Sequence, residues 1–189
     1  MQSKDDTEDT TTTVKTIGNE LFFYGEITQE SILDFTESFK KLEIDVLKKA
    51  ADMFGYTPSI RVHIMSEGGD LFSGIAAMNV MEKSRVTVIT IAQGACCSAA
   101  TFMLLGGKER RMGPNAQILI HQLATGEFWG NFEELKYEVK SCTKFMKAIK
   151  DIYMKKTKIP ERKFKKLMKK DIYLTAAKCL KYKIVHEID

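Results

Sequence analysis

The sequence predicts an α/β fold with a largely parallel sheet. Three observations carry that reading. Apolar, β-branched runs alternate along the chain with segments of helical period. Two glycine turns, at Gly68-Gly69 and at Gly94, each follow a strand-like run and precede a helix-like one. No internal repeat or linker marks a second domain, so residues 14–189 read as one domain behind a disordered, acidic, threonine-rich tail at 1–13.

Each element has its own justification. Glu20 to Glu26, ELFFYGE, is aromatic and apolar and reads as a strand ending at Gly25. Ser31 to about Met53 reads as a helix, because Ile32, Phe35, Phe39, Leu42, Val46 and Ala50 recur at three- and four-residue steps. Gly55 and Pro58 break it. Ser59–Met65 alternates as a strand, 70–83 reads as a helix, and Val86–Ala92 as a buried strand. Gly94 then opens a turn, Ser98–Leu105 is a short helix stopped by Gly106-Gly107, and Ala116–His121 is a strand. Residues 131–156 give the clearest helix, striped by Phe132, Leu135, Val139, Cys142, Met146, Ile149 and Tyr153. A helix at 161–169, an extended segment at Tyr173–Thr175, a helix at 176–182 and a strand at 184–188 complete the order.

Composition excludes several classes. The chain has 189 residues, 44% of them hydrophobic, too many for a disordered protein. No apolar run approaches the roughly 18–20 residues that cross a bilayer, and the N-terminus lacks the apolar stretch of a secretory signal. The expectation is a soluble, cytoplasmic protein. Cys96 and Cys97 are adjacent and make poor disulfide partners; with Cys142 and Cys179 they show no Cys-x-x-Cys spacing, so neither a disulfide nor a zinc site is expected. Residues 136–183 hold 17 Lys/Arg against 4 Asp/Glu. Such a run serves more often as a solvated helical face than as a nucleic-acid site, and no aromatics interleave it to stack bases.

The chemistry concentrates at the turns. Gly68-Gly69 lets backbone approach a substrate with no Cβ in the way. Ser98 stands at a helix start, where it reads equally as an N-cap or as a nucleophile. Of three histidines, His186 is nearly terminal, His63 alternates within a strand as a structural residue, and His121 ends the ILIH strand, where α/β sheets present their sites. Asp171 stands alone in KKDIYLTA and would serve as a turn cap if it had no partner.

The order of these pieces carries a resemblance. SEGG at 66–69, Gly94-Ala-Cys-Cys-Ser98-Ala-Ala, Pro114-Asn115 through His121-Gln122, and Asp171-Ile-Tyr-Leu-Thr-Ala-Ala together are similar to the ClpP peptidase family, most of all its short bacteriophage members. The likeness covers about 19–188. It implies a ClpP/crotonase-type β-α spiral with a protruding handle helix and strand at about 123–160. It implies Ser98 as nucleophile, His121 as general base, Asp171 as its orienting partner, and the Gly69 and Ala99 N–H groups as the oxyanion hole. Residues 123–131 fall where the family has its handle strand, so Gly68, Leu123, Thr125 and Gly126 would meet an extended peptide by β-addition. Phe128-Trp129 reads equally as a side-chain pocket or as subunit-interface packing. No metal or organic cofactor is implied. Polypeptide substrates are, and so is a homo-oligomer of two stacked heptameric rings.

The sequence also departs from the family. Glu67 replaces the family's proline, Cys96 and Cys97 replace alanines, and Lys183 replaces a glycine. A slip of one residue would make Cys97 the nucleophile. The family's N-terminal region, which lines the pore and meets an unfoldase ATPase, is longer than the acidic tail before the first strand here, which puts a Clp-type ATPase partner in question. A non-catalytic ring subunit and a crotonase-type acyl-CoA enzyme stay open beside the peptidase.

Overall fold

The computed structural model describes residues 12–189 apart from 125 and 128. Thr125, Phe128 and most of the tail at 1–13 lie outside the described residues. The chain opens with a hairpin, β1 (Thr13–Ile17) and β2 (Glu20–Tyr24), turned at Gly18, whose φ of 62° suits a residue without a Cβ. β1 is an addition to the sequence reading, hidden by its short polar composition, TVKTI. Helix α1 (Gln29–Asp52) begins at a reciprocal Thr28–Ser31 capping box and buries Ile32, Phe35, Phe39, Leu42 and Val46, five of the six residues whose spacing predicts it.

Next come β3 (Ser59–Ser66), α2 (Leu71–Glu82), β4 (Thr87–Cys97), α3 (Ala100–Leu105), β5 (Glu109–Met112) and β6 (Gln117–Leu119). Beyond these are α4 (Phe132–Lys156), α5 (Glu161–Leu167), β7 (Tyr173–Thr175), α6 (Ala176–Lys181) and β8 (Glu187–Ile188). The sheet runs β1-β2-β3-β4-β5-β8, with β6 paired to β4 and β7 to β6. β1–β2 and β6–β7 are antiparallel, and all other pairs are parallel. The α/β expectation therefore holds, with two antiparallel exceptions.

Several local expectations do not hold. Gly94 opens no turn, because β4 continues through it to Cys97. The added length lets β4 pair with β5 at its first half and β6 at its second, so one strand serves two neighbours. β5 escaped notice because ERRM is polar, yet Arg110 is buried. No strand is assigned between Leu119 and Asn131 among the described residues, and positions 125 and 128 of the expected handle strand lie outside them. The handle helix is present as α4. Its stripe divides: Ile149 and Tyr153 are buried against the core, while Phe132 (69%) and Val139 (58%) are exposed. His63 is buried, stacked on Phe22 and bonded to Gln93, as its structural reading expects.

Candidate active site

Ser98 follows the last residue of β4 and does not cap α3. Ala99 is the N-cap, and no side chain caps that helix. Ser98 instead takes φ 52°, one of two non-glycine residues with positive φ among the described residues. That conformation costs an L-residue about 1–2 kcal/mol and persists where surroundings impose it. Part of the imposition is visible: the Ser98 N–H donates to Leu119 O at 2.9 Å, locking the turn to β6. The side chain is half-buried.

The glycine turn meets this serine directly. The Gly68 N–H donates to Ser66 Oγ at 3.0 Å, and Gly68 O accepts from Ile27 N–H at 2.8 Å. Gly68 and Gly69 have φ of 112° and 138°, accessible only to glycine at low cost. A Cβ on Gly68 would lie 2.7 Å from Ser98 Cβ. The next residue, Asp70, caps α2 through Ser73 N–H at 2.8 Å. Ile27 is engaged by Gly68 O and Asp70 N–H, which leaves the Gly69 N–H between them uncommitted. Neither it nor the Ala99 N–H has a backbone acceptor among the described residues. Two free donors thus flank the serine turn.

Strand pairing brings the segments next to His121 and Asp171 together. β6 and β7 pair Gln117 with Thr175, Ile118 with Leu174 and Leu119 with Tyr173. The ladder ends there, two positions short of both His121 and Asp171. The His121 Nδ1–H donates to Gln122 O at 2.6 Å, which leaves Nε2 as the ring's accepting nitrogen. Among the described residues His121 makes no hydrogen bond to Ser98 or Asp171, so the three side chains are not closed into a relay.

Ser98, His121, Gly69, Ala99 and Leu123 line one cavity of about 330 Å³. Its apolar wall comes from Phe72, Phe102, Phe145, Ile149 and Tyr153, with Phe72 and Phe145 edge to face at 5.3 Å. Gly68 lines a second cavity, on the Glu67 side of the glycine turn. Gly126 and Asp171 line neither of these two cavities, and Trp129 is 90% exposed. The aromatic wall is the part that sequence reasoning missed. The α4 stripe announced that Ile149 and Tyr153 pack somewhere; it did not announce that they pack beneath the serine.

Cys97 is enclosed where Ser98 is half-buried. It is 1% exposed. Burial first, and then the Glu67 carboxylate beside it, push its thiol up to about 12. A protonated, enclosed thiol is a poor nucleophile.

A family model described as Clp protease matches residues 20–189. The ATP-dependent Clp protease proteolytic subunit of Deinococcus radiodurans is 32% identical over 131 residues, 68% of this chain and 64% of its own. Its counterpart in Chara vulgaris is 32% identical over 126 residues, 66% of this chain and 58% of its own. The chloroplastic ATP-dependent Clp protease proteolytic subunit 1 of Arabidopsis thaliana is 30% identical over 131 residues, 68% and 67% of the respective chains. The matched region thus spans about two thirds or less of these relatives' length. A solved ClpP1 point mutant from Listeria monocytogenes superposes with a TM-score of 0.77 over 91% of both chains at 24% identity, which shows a shared fold.

Proposed function

The chain belongs to the Clp protease family, and from that premise we propose that it is a serine endopeptidase acting on unfolded proteins and peptides through an acyl-enzyme on Ser98. The observation that carries the reading is the placement of Ser98: a positive-φ serine at a strand end, pressed against Gly68 and sharing one cavity with His121. In the reaction His121 Nε2 takes the Ser98 hydroxyl proton as Oγ attacks the scissile carbonyl. The Gly69 and Ala99 N–H groups receive the developing oxyanion. The proton passes to the leaving amine, the peptide C–N bond breaks, and water attacks the acyl-enzyme by the same steps reversed.

One rearrangement precedes this sequence. The His121 Nδ1–H must leave Gln122 O and turn to the Asp171 carboxylate, which then stabilises the imidazolium. An extended peptide lies along residues 123–126, with Gly68, Leu123, Thr125 and Gly126 beside it, and sends a large apolar side chain against Phe102 and Tyr153.

The exposed half of α4 would be covered by assembly into two stacked heptameric rings. A Clp-type unfoldase would be needed only for folded substrates. Cytoplasmic location and kinship with phage-encoded members extend the same reading. The test is covalent labelling with a fluorophosphonate probe, located by peptide mass. Ser98→Ala should lose label and peptide cleavage, and Cys97→Ala should keep both. A Ser98→Ala protein that labels and cleaves like wild type would sink the assignment.

A further inference from the structure

The Ser98 turn is pinned from below by two residues outside the proposed triad and oxyanion hole. Ser98 O accepts two hydrogen bonds from one residue: the Thr101 N–H at 3.0 Å and the Thr101 hydroxyl at 2.6 Å. Both lone pairs of that carbonyl are therefore used. A carbonyl only accepts, so the Thr101 proton is spent on it. The Thr101 oxygen is in turn bonded to the Tyr153 hydroxyl. Tyr153 must be the donor in that pair, because Thr101 has no second proton to give. The direction of the chain is thus fixed: Tyr153 O–H to Thr101 O–H to Ser98 C=O.

The surroundings suit a permanent relay. Thr101 and Tyr153 are buried, at 0% and 2% exposure, and burial raises the phenol well above its ordinary range, so it stays a donor at any working pH. Tyr153 is wedged between Phe102 and Phe164, with ring centroids at 5.7 and 5.3 Å. It belongs to the last turn of α4, 52 residues from Thr101 in sequence. A tether from a distant helix is what holding a strained φ requires, because the strain persists only where contacts outside the turn oppose relaxation.

We infer that Tyr153 and Thr101 are positioning residues for the nucleophile: they hold the Ser98 carbonyl, and with it the left-handed turn that aims Oγ, and they tie that turn to helix α4. The inference rests on the peptidase reading above.

The test uses the full chain and four variants, Tyr153→Phe, Thr101→Val, Thr101→Ser and the double Tyr153→Phe/Thr101→Val. The readouts are the Ser98 labelling rate with a fluorophosphonate, kcat and KM on a fluorogenic peptide, and the melting temperature. One buried hydrogen bond lost in the reacting state corresponds to a slowing of about fivefold for Tyr153→Phe. Thr101→Val, which also frees the carbonyl, should slow labelling by about tenfold or more. The loss should fall on kcat with KM unchanged. Thr101→Ser, which restores the hydroxyl, should recover the rate. Tyr153→Phe keeps the ring that lines the cavity, and the lost hydroxyl acts only through Thr101, so the double variant should be no slower than Thr101→Val alone. Where Thr101→Val does not fold, the contrast between Tyr153→Phe and Thr101→Ser decides. Wild-type rates in Tyr153→Phe and Thr101→Val, or losses that add fully in the double variant, overturn the relay while leaving the peptidase intact. A wild-type protein that does not label overturns the peptidase reading itself, and the relay's purpose with it.

Discussion

Replacing Gly68 with alanine tests the central geometry at its narrowest point. The φ of 112° lies well outside the left-handed well that an L-residue tolerates, so the backbone cost alone is about 1–3 kcal/mol. The new Cβ would sit 2.7 Å from Ser98 Cβ, 3.0 Å from Cys97 O and 3.2 Å from Ala99 N. Carbon atoms rest about 3.5–4.0 Å apart, so the serine turn must retreat by roughly 1 Å. None of the three obstructing atoms is the far end of a flexible side chain. A displacement of about 1 Å at a reacting group costs on the order of 100-fold in rate. The Ala99 N–H, one proposed oxyanion donor, would move with it. The expected result is a roughly 100-fold slower fluorophosphonate reaction at Ser98, with a melting temperature lower by about 2–10 °C. Labelling within threefold of wild type would refute the claim that Gly68 and Ser98 form one site.

Other substitutions probe the frame around it. Lys183 is the second positive-φ residue, at 54°, so Lys183→Gly should relieve strain and raise stability by about 1 kcal/mol in chemical denaturation. Arg110 donates to Ile184 O at 2.7 Å and to Lys156 O and Lys183 O at 2.9 Å each, tying the end of α4 to the C-terminal segment. Arg110→Met should cost about 3 kcal/mol or more, and Arg110→Lys should not restore it, because one ammonium cannot span three carbonyls as a guanidinium fork does. Glu43 is buried; burial would raise its pKa, but hydrogen bonds from the Ser84 hydroxyl, the Arg85 N–H and Lys40 outweigh that and hold it below the ordinary glutamate value. A depressed carboxylate stabilises the fold above its unfolded pKa and loses that contribution as pH falls through the folded value. Glu43→Gln should therefore be less stable than wild type at neutral pH, with the gap closing as melting curves are taken at progressively more acidic pH.

Much of this protein was legible without coordinates. Local periodicity gave α1, α4 and the parallel strands, because burial of one helical face or of both strand faces writes itself into neighbouring residues. The pieces of the site were legible as well: a Gly-Gly turn, a serine before a short helix, a histidine after a strand and a late aspartate. What stayed hidden depends on which distant segments touch. β5 is polar and declares itself only through its partners in the sheet. Burial separates Cys97 from Ser98: β4 sends Cys97 inward beside Glu67, and the left-handed step that follows leaves Ser98 half-exposed. The segments next to His121 and Asp171 pair in a ladder between strands more than 50 residues apart, and Tyr153 reaches the Ser98 turn through Thr101 from the end of α4. Short-range sequence carries the side-chain chemistry and the period of each element, since both are properties of a few adjacent residues. Juxtaposition is a property of the packed whole, set by the one arrangement that buries all the apolar faces together, and no window of sequence contains it.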